Sequence, residues 1–271
     1  MLALDLIKTI KENFKKNGIE SAEFEAKQIV LCVCDSIVST VSSKDEEKCI
    51  QLAQKRVAGY PLQYLLGEWE FYSLPFFVGE GVLIPRADTE TVVDQALKII
   101  KQNSYKTVLD LCSGSGCIAI AVKKNADVEV TAVEASADAF CYLVKNAERN
   151  KAQIGCVMGD ALKYKGKKFD LVISNPPYIK TEVIKTLSEE VKKEPKMALD
   201  GGKDGLLFYR KITENAKQLL NKNGTLLFEI GFDQEAEVLE ILKSNGFLNV
   251  RCVKDLNSQP RAIFGTLGDI K

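Results

Sequence analysis

The residues best suited to chemistry stand together at Asn175-Pro176-Pro177-Tyr178, directly after the apolar run Leu171-Val172-Ile173. That run reads as a strand buried on both faces. Neither proline has an N–H to give a sheet, and each holds φ near about −65°, so the strand must end there. Pro176 also pushes Asn175 out of the helical region. The outcome is a stiff loop at the carboxyl edge of a strand, where open α/β sheets place their ligands. It offers one amide side chain, bare backbone carbonyls and one aromatic face. Such a set can accept hydrogen bonds from a planar –NH2 group and stack on it. An isolated Asn-Pro is more often a plain turn. Here the buried strand before it and a glycine turn upstream favour a site.

The glycine turn is Cys112-Ser113-Gly114-Ser115-Gly116, between a strand at 107–111 and the start of a helix. Gly114 allows a tight turn, Gly116 lets a ligand approach the backbone, and Ala119 permits close packing of helix on sheet. The spacing suits an adenosine-bearing cofactor, either a nicotinamide dinucleotide or S-adenosylmethionine. Glu134 ends the next strand, where an acidic residue would accept the ribose hydroxyls; otherwise it is a charge near a helix N-terminus. Asp160 follows the strand after that and can accept the adenine amino group, with Ala161 against the ring; otherwise it is a turn residue after Gly159. The Asn175–Tyr178 motif separates the two cofactors, because hydride transfer does not require it. It resembles the signature of S-adenosylmethionine-dependent methyltransferases that modify planar amino or amide nitrogens. Asn175 counts on both sides, as a catalytic and as a cofactor-facing residue.

Composition narrows the field. Lys+Arg and Asp+Glu both total 37, and hydrophobic residues make up 46% of the chain, as in an ordinary globular protein. A neutral chain argues against a nucleic-acid substrate, since such proteins are usually basic. Residues 1–80 carry more acidic than basic side chains. The eight cysteines form no Cys-x-x-Cys pair, and there is no histidine, so no metal site is expected. Cys32, Cys34, Cys112, Cys117, Cys141 and Cys156 lie in apolar runs and read as small hydrophobes. The absence of histidine also removes the commonest general base. Unpaired thiols, an N-terminus that is charged at once and the lack of a long apolar stretch point to a cytoplasmic protein with no membrane partner.

The elements that must position these residues can be read in order. Apolar residues at helical spacing mark 2–17, a second helix opening near Ser21, and a third capped by Asp45. These form a small bundle. Glu68–Phe71 and Phe76–Val78 read as a hairpin. A helix follows Pro85, and from Thr107 strands and helices alternate as in a doubly wound parallel sheet. Expected helices include 116–124, 205–220 and 234–244, and expected strands include 154–158 and 225–230. Val250–Val253 and Ala262–Gly265 would close the sheet as an antiparallel pair.

Over nearly its whole length the chain resembles the peptide-chain release factor glutamine N5-methyltransferases (HemK/PrmC type). The resemblance is carried by Gly59-Tyr60-Pro61-Leu62-Gln63-Tyr64-Leu65, Ile84–Glu90, Asn175–Ile179, Glu194-Pro195 with Ala198–Leu206, Glu229–Gln234, and Lys254-Asp255-Leu256 with Arg261. It implies a Rossmann-like class I S-adenosylmethionine methyltransferase domain at 86–271, with a seven-stranded, mostly parallel sheet. A helical substrate-recognition domain at 1–66 and a β-hairpin connector at 67–85 would precede it. The implied donor is S-adenosylmethionine, with S-adenosylhomocysteine as product. The implied partner is a release factor presenting the glutamine of its Gly-Gly-Gln loop. The Asn175 side-chain oxygen and the Pro176 carbonyl would accept the two amide hydrogens, Pro177 would stiffen the loop, and Tyr178 would pack on the amide plane. The chain departs from the usual pattern at Cys112-Ser113 and at Glu134, where the family usually has Asp. The rival activity is N6-methylation of adenine in DNA or RNA, which uses the same four residues. A degenerate, non-enzymatic binding domain is disfavoured by the intact motifs.

Overall fold

The computed structural model describes residues 1–34 and 36–268. The chain divides into two compact units. One comprises Met1–Glu68 with Ser188–Lys193, the other Trp69–Leu187 with Glu194–Lys271.

The first unit holds α1 (Ala3–Lys16), α2 (Ala22–Val33), α3 (Ser43–Val57) and the short α4 (Leu62–Leu66). The apolar stripe of α1, Leu6, Ile7, Ile10 and Phe14, is buried, as are Ala26, Ile29 and Val30 of α2. The third helix is capped by Ser42 rather than Asp45: the Ser42 hydroxyl oxygen accepts from the Asp45 N–H at 3.2 Å. Asp45 lies in the first turn, where its charge suits the helix N-terminus. Segment 188–193 packs into this unit. Arg56 donates to both oxygens of the buried Glu25, at 2.5 and 3.1 Å, and reaches Glu190 at 3.2 Å. Gly59 sits at φ +86°, and a Cβ there would lie 3.1 Å from the Cβ of Glu189. The first glycine of the Gln-Tyr-Leu motif is therefore structural.

The second unit opens with β1 (Glu68–Phe71) and β2 (Leu74–Phe77), followed by α5 (Glu90–Asn103). The hairpin is built into the core: Phe71 and Phe76 are buried and meet edge-on at 6.0 Å. The sheet comprises β3 (Thr107–Leu111), β4 (Glu129–Glu134), β5 (Gly155–Met158), β6 (Phe169–Ser174), β7 (Leu220–Glu229), β8 (Phe247–Lys254) and β9 (Pro260–Leu267). Its order is β5-β4-β3-β6-β7-β9-β8, with β9 antiparallel to both neighbours and the other pairings parallel. This is the expected seven-stranded, mostly parallel sheet. Between the strands run α6 (Cys117–Asn125), α7 (Ala137–Arg149), α8 (Lys196–Leu199), α9 (Leu207–Leu219) and α10 (Glu235–Ser244). Alternate strand residues feed two apolar clusters, Leu171 and Ile173 one, Val172 the other.

Several boundaries differ from the sequence reading. Gly116 is the N-cap of α6 at φ +82°, so the helix begins one residue later. The helix expected from Gly205 begins at Leu207, because Gly202 and Gly205 take left-handed turns first. Strand β7 starts at Leu220, with a register slip against β6. The short helices α4 and α8 had no periodic signal. Cys32 and Cys141 are exposed, unlike the buried Cys34. Among the described residues no group of side chains could hold a metal, and no helix is long and apolar enough to cross a membrane.

Candidate active site

Strand register decides which residues meet. Leu111 of β3 pairs with Ser174 of β6, and Ser174 pairs with Phe228 of β7. The next residues, Cys112, Asn175 and Glu229, therefore emerge side by side at the carboxyl edge. Ser174 ties β6 to β3 through a hydroxyl bond to the Leu111 carbonyl at 2.7 Å.

The glycine turn is held from both sides. The Ser113 N–H donates to the Val133 carbonyl at 3.1 Å, and the Ser113 hydroxyl donates to Asp110 at 2.5 Å. Asp110 is fully buried, and burial pushes its carboxyl up to about 7, against the Ser113 and Ala119 hydrogen bonds. Glu134 bridges two backbone donors, Gly114 N–H at 2.7 Å and Ser136 N–H at 2.8 Å. A carboxylate has further lone pairs, so Glu134 keeps capacity for hydroxyl donors. Asp160 accepts from its own turn, at the Leu162 N–H, at 2.9 Å.

These groups converge on a cavity of about 660 Å³ of atom-free space, part of it open to solvent, which suits a small cofactor. Cys112, Gly114, Glu134, Asp160, Ala161, Asn175 and Pro177 all line it. A smaller adjoining cavity is lined by Ser113 and Ser115 together with Arg86 and Thr89, and shares Cys112, Gly114 and Asn175 with the first. A Cβ added at Gly114 would meet nothing within 4 Å, so the turn leaves open space beside its backbone. The donor and acceptor set fits an adenosine-bearing cofactor. Two carboxylates, Glu134 and Asp160, stand in its lining together with apolar groups such as Val133, Ala161 and Phe208.

Gly116, Pro176 and Tyr178 line neither cavity. Gly116 makes room for Leu143, whose Cδ1 a Cβ would approach to 2.5 Å. Pro176 is buried. Tyr178 packs on the second apolar cluster, and burial raises its hydroxyl well above its ordinary value.

The sequence reading missed residues that brace the site. Glu194 is buried and accepts from the Ile84 N–H at 3.0 Å while pairing with Arg86, which fixes the Ile-Pro-Arg loop. Arg261 pairs with Asp88 and Asp255, both at 3.1 Å. Glu229 is buried beside Thr89 and Asn175. All belong to the motif segments quoted above, but their partners other than Asp255 lie far away in sequence.

A family profile described as "Methyltransferase small domain" matches residues 89–208. A release factor glutamine methyltransferase of Geobacter sulfurreducens is 41% identical over 264 residues, covering 93% of this chain and 92% of its own. The chain belongs to the release factor glutamine methyltransferase family. A second member, from Thermodesulfovibrio yellowstonii, is 38% identical over 94% of this chain and 95% of its own. At the level of fold alone, the hMettl16 catalytic domain, solved with a MAT2A 3′UTR hairpin, aligns at a TM-score of 0.59, 14% identity and 84% coverage of each chain. The methyl donor is S-adenosylmethionine, and the rival adenine-methylating reading is not favoured.

Proposed function

We propose that this enzyme methylates the side-chain amide of the glutamine in the Gly-Gly-Gln loop of a release factor, in the cytoplasm, with Asn175 and the Pro176 carbonyl as the groups that meet that amide. The observation that supports this most is that Asn175 lines both cavities, one with Glu134 and Asp160, the other with Arg86 and Thr89. An amide nitrogen is a poor nucleophile because its lone pair is delocalised. S-adenosylmethionine supplies an activated methyl group, so the protein's task is orientation. Asn175 Oδ1 and the Pro176 carbonyl accept the two amide hydrogens and turn the lone pair toward the methyl. Tyr178 backs the loop from the core. Orientation of this kind can supply roughly 7–11 kcal/mol of the barrier. The cofactor is held by the glycine turn from Cys112 to Ser115, by Glu134 at the ribose and by Asp160 and Ala161 at the adenine.

Domain roles follow the same reading: residues 1–66 recognise the release factor, 67–85 connect, and 86–271 catalyse. Phe24 and Leu31 are exposed and lie seven residues apart on one face of α2, which supports a protein-binding role for that face. The test is methyl transfer from tritiated S-adenosylmethionine to intact release factor, with the modified residue located by mass spectrometry. Asn175→Ala should lower kcat by about a hundredfold or more, the scale of losing one group that acts on the transition state, and leave the fold intact. Phe24→Ser should raise KM for release factor without changing cofactor affinity. Methyl found on another residue, or wild-type turnover by Asn175→Ala, would overturn the assignment.

A further inference from the structure

We propose that Glu229 is a positioning residue that sets which end of the Asn175 amide faces the substrate. The inference rests on the role given to Asn175 above. An Asn side chain presents an acceptor at one end and donors at the other, and the two ends are nearly the same shape. Orientation of the substrate amide requires the oxygen outward. Something in the protein must therefore hold the –NH2 end inward.

The register supplies that group. Glu229 follows Phe228, the partner of Ser174, so it stands directly beside Asn175 at the end of the neighbouring strand. Its side chain is buried, and Thr89 and Asn175 lie close enough to it that both favour its ionised form. Asn175 Nδ2 also lies 3.5 Å from the Thr89 hydroxyl oxygen. Glu229 Oε2 is buried with no hydrogen-bond partner of its own. A buried carboxylate without a full set of donors strongly favours the amide's N–H end and repels its oxygen. The same rule gives Glu229 no reason to contact the substrate, because Asn175 stands between.

Protonation would undo this device. A neutral Glu229 can donate, so it tolerates the amide oxygen and the two orientations become comparable. Burial pushes the Glu229 carboxyl up to about 7, against the donors Thr89 and Asn175 and the positive charge of Arg261 on β9. Asp88 in the loop before α5 pushes it up further. Tyr178 after β6, Tyr209 on α9 and Cys117 on α6 also face it, and all remain neutral near pH 7 because burial raises each. Arg261 is itself paired with Asp88 and Asp255 and stays charged. Turnover should thus fall as pH drops through about 7.

The test is Glu229→Gln in the full-length enzyme, assayed with S-adenosylmethionine and intact release factor from about pH 5.5 to about pH 9, a range that brackets the expected midpoint. Gln keeps the shape but can offer either end to Asn175. The expected result is a fall in kcat of about tenfold or more, the size of losing one positioning hydrogen bond. KM and cofactor Kd should stay within about twofold, and the acidic limb of kcat should disappear. Thr89→Val, which leaves Glu229 in place, should lower kcat less and keep the limb. Combining Glu229→Gln with Asn175→Ala should cost no more than Asn175→Ala alone, because one acts through the other. Wild-type kcat with an unchanged acidic limb in Glu229→Gln would overturn the proposal, as would multiplicative losses in the double variant. If Asn175→Ala itself retains turnover, the role of Asn175 fails first, which separates the two readings.

Discussion

Gln234 Nε2 donates to the Tyr178 carbonyl at 3.1 Å, which ties the start of α10 to the loop that follows the Asn-Pro-Pro motif. The same amide reaches the Gly205 carbonyl at 3.3 Å, and its oxygen accepts from the Gly231 N–H at 3.0 Å and the Tyr209 hydroxyl at 3.3 Å. One buried side chain thereby joins three motif segments. Gln234→Leu strands two carbonyls and the Gly231 N–H, while the Tyr209 hydroxyl keeps the Glu229 carbonyl, at about 1–3 kcal/mol for each buried group left unpaired. The variant should show a lower Tm and reduced kcat, by calorimetry and the methyl-transfer assay.

The approach of Gly205 to this loop allows no side chain. A Cβ there would lie 2.4 Å from the Tyr178 carbonyl oxygen, and the residue sits at φ +76°. Gly205→Ala must displace backbone rather than a flexible side-chain end. We expect destabilisation above about 2 kcal/mol together with loss of activity. Gly18→Ala, also at positive φ but with nothing within 4 Å, should cost only about 1 kcal/mol. Denaturant midpoints measured side by side check the contrast.

Glu134 uses its full length to span Gly114 and Ser136, at 2.7 and 2.8 Å. Glu134→Asp, one methylene shorter, cannot reach both. The expected outcome is cofactor affinity weakened about tenfold or more, consistent with losing one hydrogen bond to a charged group. Glu134→Gln should weaken it as well, since its –NH2 end would face an N–H. Isothermal titration with S-adenosylhomocysteine measures both.

Cys112 holds a left-handed conformation, φ +60°, with an ordinary side chain. Cys112→Gly should be tolerated, because glycine takes that region freely. Cys112→Val, close in size, adds a β-branch that the left-handed region disfavours. It should lower stability by about 1–2 kcal/mol and weaken cofactor binding. Thermal shift with and without cofactor checks it.

Asp110 provides a stability signature in pH. Its folded carboxyl titrates at about 7, above the ordinary 3.8, so between those values the folded state holds a proton that the unfolded state has released. Its contribution is therefore greatest below about pH 4 and is lost as pH rises through 7. Asp110→Asn, which cannot titrate, should show a flatter dependence of unfolding free energy over that window. An unchanged slope in urea titrations would contradict the assignment.

The sequence by itself determined the alternation of strands and helices, the turn at Gly114 and the stop after Ser174. Each follows from a local cause: apolar runs too short for helices, glycines that permit positive φ, and prolines that cannot extend a ladder. It also placed Glu134, Asp160 and Asn175 at the carboxyl ends of their strands, and the structure gathers all three around one cavity. Tertiary structure alone decided how those ends are braced. Glu194 meets Ile84 and Arg86, Arg261 meets Asp88, and Glu229 meets Thr89 and Asn175. These partners are separated by tens to more than a hundred residues, and no periodicity or capping rule acts over that range. The side-by-side placement of Asn175 and Glu229 comes from the register of β6 on β7, which is fixed by packing in the two apolar clusters. The direction of Tyr178 was decided the same way. Its ring follows the apolar cluster beneath the sheet edge, an interaction between segments that the tetrapeptide cannot encode alone.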